Sequence, residues 1–171
     1  EGIVLAGHDI SAGGMITALL EMNFANTEGG LEVKLDKLPE KDLIKILFSE
    51  NPGVLIQVKD RKAVEKILEE AGVGYAVVGH PCSERHILVS KDGAEYLFGI
   101  DHLRDVWFSS SYLLDRKQSG EAQAKARFLN YKEQPLHYHF GKSFTGKMEQ
   151  YGISADRRKP SGIKAAIIRE K

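Results

Sequence analysis

A glycine-containing stretch, residues 7–14, stands between a short apolar segment and an apolar repeat, and it constrains this chain more than any other feature. Residues 3–6 are all apolar and predict a short buried strand. After Ser11, apolar residues recur four positions apart, which places them on one face of a helix. These residues are Met15, Ile16, Leu19, Leu20 and Phe24.

Two glycines, Gly13 and Gly14, lie in the first turn of this predicted helix. Each costs roughly 1 kcal/mol relative to alanine, so some gain must offset them. Ser11 is the predicted N-cap, its hydroxyl accepting from the amide of either glycine. Without Cβ atoms, the free amides of the first turn can approach a phosphate or a carboxylate closely. Alternatively, the glycines let the helix pack tightly against a neighbouring strand, and these two residues alone support both interpretations equally.

His8 and Asp9 immediately precede this turn and favour the ligand-binding interpretation. An imidazole and a carboxylate in that place can position a ligand, a metal ion or a proton. No second metal ligand follows at a recognisable spacing, so the metal stays unassigned. We expect a phosphate-type binding site whose residues are His8, Asp9, Ser11, Gly13 and Gly14.

Composition excludes several broad functions. The 171 residues include 24 basic and 24 acidic side chains, so no net field favours nucleic acid or a membrane surface. Cys82 is the single cysteine and fits a reducing compartment. No apolar stretch approaches the roughly 20 residues that span a bilayer. We therefore expect a cytoplasmic, soluble chain, and its start at Glu1 without a methionine indicates a piece of something longer.

From residue 26 onward, strand and helix patterns mix. Strands are predicted at 31–35, 54–58, 75–78, 86–89 and 95–98, and helices at 39–49, 61–71 and 101–131, the last divided at Gly120. The strands are too many for a purely parallel sheet with crossovers. We predict an α+β fold, a layered α/β/α domain with a mixed, largely antiparallel sheet, followed by an irregular linker.

The C-terminal part changes character. Residues 132–162 have no sustained period and contain prolines, glycines and a basic cluster at 157–159, which we interpret as solvated linker. Residues 164–169 predict the first strand of a further domain.

Five stretches in this order resemble the phosphoribosylformylglycinamidine synthase family. They are residues 7–15, 19–25, 47–53, 103–112 and 163–171. The resemblance implies that residues 1–131 form an aminoimidazole-ribonucleotide-synthetase-like C-terminal domain, the second of that family's two copies. It also implies a linker at 132–162 and, at 163–171, the first strand of a truncated class I glutamine amidotransferase domain.

The resemblance further implies part of an ATP-dependent ligase of purine biosynthesis. Family members convert formylglycinamide ribonucleotide to the amidine with ATP, magnesium and ammonia released from glutamine. The ATP-binding halves would precede this chain and the glutaminase nucleophile would follow it. Cys82 matches no glutaminase motif, so we assign no catalytic residue here, expect no activity from the chain alone, and expect it to require no cofactor.

Glu50 belongs to one of the matching stretches and ends a predicted helix, where a carboxylate is unfavourable. It is therefore expected either to pair with a base or polar group across the cleft or to be solvated. Ala12 stands where the family usually has aspartate, which puts magnesium binding in doubt. The family has a catalytic and a structural nucleotide cleft, and the turn could face either. Alternatives are aminoimidazole ribonucleotide synthetase, selenophosphate synthetase, a hydrogenase-maturation protein and a non-catalytic nucleotide-binding module.

Overall fold

The structure is a computed structural model that describes residues 2–133 and 139–154. The chain divides into two compact units, residues 1–134 and 135–171. The described part of the first unit contains five α-helices and six strands. The strands are β1 (Val4–Ile10), β2 (Gly30–Lys34), β3 (Gly53–Val58), β4 (Gly79–Cys82), β5 (His86–Lys91) and β6 (Ala94–Gly99). The helices are α1 (Gly14–Phe24), α2 (Leu43–Phe48), α3 (Arg61–Glu70), α4 (Ile100–Ser119) and α5 (Glu121–Leu129).

The strands form two sheets. One has four strands in the order β4-β2-β5-β6, with β2 and β5 parallel and the other two pairs antiparallel. The other is an antiparallel ribbon of β1 and β3, in which His8 is opposite Leu55. The predicted α+β fold with mixed, largely antiparallel pairing is confirmed, although its strands are divided between two sheets.

The core lies between α1 and the four-stranded sheet. Its most fully buried large side chains are Leu35, Ile87, Val89 and Ile100, none of them more than 2% exposed. The apolar face predicted for α1 is confirmed, because Met15, Ile16 and Leu19 belong to this cluster and Leu20 and Phe24 pack against it.

Arg85 fastens α1 to the start of α4. Its Nη1 donates to the carbonyls of Asn23 and Gly29 at 3.3 and 3.2 Å, and its Nη2 donates to the carbonyl of Asn26 at 2.7 Å. Its Nε donates to Asp101 Oδ1 at 3.0 Å. The guanidinium therefore satisfies the Asn23 carbonyl in the last turn of α1, where the helix dipole favours a positive charge, and two carbonyls of the loop that follows.

The predicted strand at 75–78 is wrong. Those residues form no strand, and β4 begins at Gly79. Within the segment 75–78, the Val78 carbonyl accepts a hydrogen bond from the Lys34 amide at 2.6 Å. At Gly79 the chain comes so close to Glu32 that a Cβ would collide with the backbone. Pairing with β2, rather than the local β propensity, therefore decides where the strand lies.

Two further predictions need correction. The helix expected from residue 39 begins at Leu43, because the Asp42 side chain caps it by accepting from the amide of Ile44 at 2.9 Å. Ile44 and Phe48 of α2 are 70% and 52% exposed. The strand expected at 3–6 runs from Val4 to Ile10 and is largely exposed. It pairs with β3 alone in a two-stranded ribbon, of which Ile10 and Leu55 pack against the core.

Other boundaries agree with the sequence. Asp60 caps α3 by accepting from the Ala63 amide at 3.1 Å, and Gly72 follows the end of that helix with φ +64°. Gly120 separates α4 from α5 with φ 86° and ψ 160°.

In the second unit, the described residues 139–154 include a 3₁₀ turn, Met148–Tyr151. The basic cluster at 157–159 and the strand predicted at 164–169 lie outside the described residues. Among the described helices, none has the length and apolar character that crossing a membrane requires.

Candidate functional site

The turn between β1 and α1 differs from its predicted form. His8 and Asp9 belong to β1, and the N-cap of α1 is Gly13. The Ser11 hydroxyl makes no capping bond, so the prediction that Ser11 is the N-cap is wrong. Instead the Ser11 carbonyl accepts from the Gly14 amide at 3.0 Å, which closes a tight backbone turn.

Both glycines are required by the backbone. Gly13 and Gly14 have φ values of +83° and +74°, in the left-handed region that L-residues seldom adopt. A Cβ on Gly14 would lie 2.6 Å from the carbonyl oxygen of Leu47. The Gly13 carbonyl accepts from the Thr17 hydroxyl at 3.0 Å. The packing interpretation of Gly14 is thus directly supported, although its neighbour is the end of α2 rather than a strand.

Glu50 contacts this turn. Its Oε1 accepts from the Gly13 amide at 2.9 Å, so this exposed carboxylate is paired with a backbone amide of its own chain, and its pairing across a cleft stays a prediction. Glu50 follows α2, whose C-terminus disfavours a negative charge, but it faces the N-terminus of α1, which favours one by about 0.3–1 kcal/mol. The amide predicted to receive a ligand phosphate therefore binds a carboxylate of the chain itself.

The His8 ring contacts Asp9 and Glu21 rather than the glycine turn. Its Nδ1 lies 2.7 Å from the Asp9 carbonyl, which can only accept, so Nδ1 carries a proton. Its Nε2 lies 3.2 Å from Oε2 of Glu21 on α1. Glu21 is seven residues beyond Gly14, about 10 Å along the helix axis. The structure thus brings Gly13 together with Glu50 and His8 together with Glu21, and the contacts of the His8 ring are not with the glycine turn.

Glu21 was missed by sequence reasoning. The available signal was its place in the matching stretch 19–25, as a carboxylate on a helix that otherwise supplies core residues. The Asp9 carboxylate is 74% exposed and lies 3.8 Å from the His8 Nδ1. Three acceptors, two of them charged, therefore lie close to this one imidazole.

Residues 2–133 and 139–154 contain no group of three or more His, Cys, Asp and Glu side chains that could hold a metal ion. Burial raises the pKa of the Cys82 thiol, which keeps it protonated and works against a role as a nucleophile.

Comparison with known proteins identifies the family. Residues 1–90 match the family described as AIR synthase related protein, C-terminal domain. This chain belongs to that family. It is 32% identical to human phosphoribosylformylglycinamidine synthase over 178 residues, which cover 99% of this chain and 13% of that protein. It is 35% identical to the major tegument protein of Epstein-Barr virus (strain AG876) over 107 residues, which cover 60% of this chain and 7% of that protein.

A solved structure, T. maritima PurL complexed with FGAR, is similar to this chain with a TM-score of 0.49 and 26% identity. The similarity covers 60% of this chain and 18% of that chain. The resemblance to the phosphoribosylformylglycinamidine synthase family is confirmed by the relatives aligned over nearly the whole sequence. The chain spans about 13% of the length of those relatives.

Proposed function

We propose that this chain is the second aminoimidazole-ribonucleotide-synthetase-like domain of a phosphoribosylformylglycinamidine synthase, at residues 1–131. We further propose that residues 132–162 are a linker and that residues 163–171 are the first strand of the glutaminase domain. Alignment with the human synthase over 99% of the chain supports this assignment over shorter members of the superfamily. The whole enzyme would convert formylglycinamide ribonucleotide, glutamine and ATP to the amidine in the cytoplasm.

Within that enzyme, we assign this chain one wall of a substrate or nucleotide cleft. Its binding residues are His8, Asp9, Ser11, Gly13 and Gly14, and Glu50 occupies the Gly13 amide until a ligand displaces it. One observation carries this proposal: the Gly13 amide at the start of α1 already binds an oxyanion, the Glu50 carboxylate, at 2.9 Å. A phosphate of the ribonucleotide has the same acceptor chemistry and would take the place of Glu50 on that amide.

The remaining chemistry belongs to other domains of the polypeptide. ATP and magnesium would be bound there, and ammonia would come from the glutaminase. This chain would bind and orient the ligand, and no catalytic residue is proposed in it. The purified chain is therefore expected to form no amidine and to hydrolyse no glutamine, while the same residues joined to the missing domains support turnover.

Phosphate binding can be measured on the chain itself by following backbone amide NMR signals during titration with ribose 5-phosphate. We expect the amides of Gly13 and Gly14 to shift. In Glu50→Gln the competing acceptor is neutral and weaker by about 1 kcal/mol, so phosphate should bind about fivefold more tightly. Glu28→Gln, an equal change of charge at an exposed residue, is the control.

Two results would contradict the phosphate proposal. One is the absence of any shift at Gly13 and Gly14 at every phosphate concentration that the folded chain tolerates. The other is equal tightening in Glu50→Gln and Glu28→Gln, since it would indicate a general charge effect rather than competition for one amide.

A second candidate function is a nucleotide-binding module that has no catalytic role, because no catalytic residue is proposed in this chain. The two functions differ in one assay. If the chain binds phosphate but its longer parent protein forms no amidine with ATP and glutamine, the non-catalytic function is correct.

A further inference from the structure

One side of α4 is packed within the first unit. The Arg104 guanidinium donates to the Phe128 carbonyl at 3.0 Å, and the Tyr112 and Phe128 rings lie 4.9 Å apart. Further along the helix, Asp115 accepts from Arg127 Nη2 at 2.7 Å. Arg104, Tyr112 and Asp115 recur at the spacing of one helical face, so α5 covers that face of α4.

The opposite side of α4 is apolar and exposed. Four large side chains, which we call the outer stripe, have half or more of their surface in solvent: Val106 55%, Trp107 50%, Leu113 54% and Leu114 64%. Successive helical residues are turned by about 100°, so Ser110, at the centre of the outer stripe, lies about 160° around the helix from Tyr112. A helix with apolar side chains on both its packed and its exposed side is typical of one that is buried in the complete protein.

The outer stripe has the composition of an interface. Residues 106–114 contain no charged side chain, and Trp107 is the single tryptophan of the chain. The cores of protein interfaces are depleted of charge and enriched in aromatic residues, and tryptophan is among the residues that contribute most to binding. Lys117, one turn beyond Leu113, is exposed and would lie at the polar rim of such an interface.

The size of the outer stripe indicates what covers it. The exposed parts of its four side chains amount to roughly 400 Å², so two such faces would bury roughly 800 Å² in total. Stable complexes of separate molecules bury about 1,200–2,000 Å². Interfaces between domains of one chain start at about 600 Å², since the covalent connection keeps the partner at a high effective concentration. The area therefore favours a domain of the same polypeptide over a second copy of this chain.

We propose that the outer stripe of α4 is the docking surface for another domain of the same polypeptide, outside residues 1–171. The contacting face of that domain is apolar and has a carboxylate opposite Lys117. This inference rests on the proposed function, which makes the chain one domain of a longer protein, and the chain spans only 13% of the human synthase with which it aligns.

Photocrosslinking on the full-length parent protein tests the docking surface. The photoreactive residue p-benzoylphenylalanine replaces Leu114, and the same replacement at Lys66, which is 75% exposed on α3, is the control. We expect irradiation to join position 114 to a peptide of the same molecule outside residues 1–171, at the mass of the monomer. The yield should be several times that at position 66.

The double variant Leu113→Gln/Leu114→Gln gives a second readout. In the 171-residue chain it should change Tm by less than about 2 °C, because both side chains are exposed there. In the parent protein it should lower the Tm of this domain by about 5 °C, because both side chains are then buried against the docked domain.

Three crosslinking results would overturn the inference: products at twice the monomer mass, products confined to residues 1–171, or a yield no higher than at position 66. An equal change of Tm in the chain and in the parent would also overturn it. Amidine formation with ATP and glutamine is measured on the same parent preparation. A parent that forms amidine without the crosslink overturns this inference alone, whereas a parent that gives the crosslink without amidine overturns only the proposed function.

Discussion

Replacing Arg85 with methionine should be among the most destabilising single changes in the first unit. The side chain is 18% exposed, and its guanidinium binds three carbonyls and the Asp101 carboxylate. Hydrogen bonds to charged groups contribute about 1.5–3 kcal/mol each, but water can reach some of the freed carbonyls. We therefore expect the free energy of unfolding to fall by about 3–4 kcal/mol, at the upper end for single substitutions.

That loss can be expressed as a melting temperature. Unfolding entropy is about 2.1 cal/mol/K per residue, so in a unit of 134 residues each kcal/mol corresponds to about 3.5 °C. Arg85→Met should therefore lower Tm by about 10–14 °C in calorimetry. Arg85→Lys should recover less than half, because one ammonium group cannot reach acceptors spread over the guanidinium fork.

Asp101 gives this prediction a pH dependence. Burial, the largest single influence, acts to raise its pKa, but hydrogen bonds from Lys132 and Arg85 together hold the pKa below the ordinary value of 3.8. Because the folded pKa is the lower one, the stabilisation is fully present above about pH 4 and is lost as pH falls through the folded pKa. The difference in urea midpoint between wild type and Asp101→Asn should therefore shrink below pH 4.

Arg61→Met is the control for Arg85→Met. The Arg61 side chain is 62% exposed and forms one ion pair, with Glu65 at 2.8 Å, within the same helix. Such pairs contribute about 0.3–0.5 kcal/mol. If Arg85→Met costs no more than Arg61→Met, the carbonyl contacts of Arg85 do not hold α1 against α4 and the reasoning is refuted.

Two further substitutions test the packing. Gly14→Ala should lower the free energy of unfolding, measured with urea, by about 2–4 kcal/mol, because the alanine would have a positive φ and its Cβ would collide with the Leu47 carbonyl. Gly74→Ala is the control, and it should be nearly neutral because the space around Gly74 is open. Equal costs would exclude close packing as the reason for Gly14. Arg104→Lys should lower the free energy of unfolding by about 2 kcal/mol, because the buried guanidinium lies 3.6 Å from the centre of the Tyr131 ring and an ammonium group cannot stack on that ring. An unchanged Tm in thermal unfolding would contradict this role of the guanidinium.

The sequence predicts well those elements whose boundaries are local. Asp60 and Gly72 delimit α3, and Gly120 separates two helices, because a capping side chain or a positive φ is determined by neighbouring residues. The strand at Gly79–Cys82 was missed because its position depends on β2, which is distant in sequence. Propensity at 75–78 contains no information about that partner.

In the candidate site, the residues could be predicted from local sequence but their contacts could not. Gly13, Gly14 and Glu50 were all recognisable as candidates from their stretches. That the Glu50 carboxylate lies on the Gly13 amide, 37 residues away in sequence, was not predictable from spacing. The contact of His8 with Glu21 depends on how the β1–β3 ribbon is set against α1, which no local pattern encodes.

The conformation of Gly120 determines whether α5 can pack against α4 of the same chain. Its φ of 86° and ψ of 160° are open essentially to glycine alone, and they turn α5 back so that Phe128 lies 4.9 Å from the Tyr112 ring. A bulkier residue there favours continuation of α4 and α5 as one rod of about 45 Å. The uncovered face of α4 would then be matched best by the α5 of another molecule. One glycine thus separates a helical hairpin formed within one chain from an exchange of α5 between two chains.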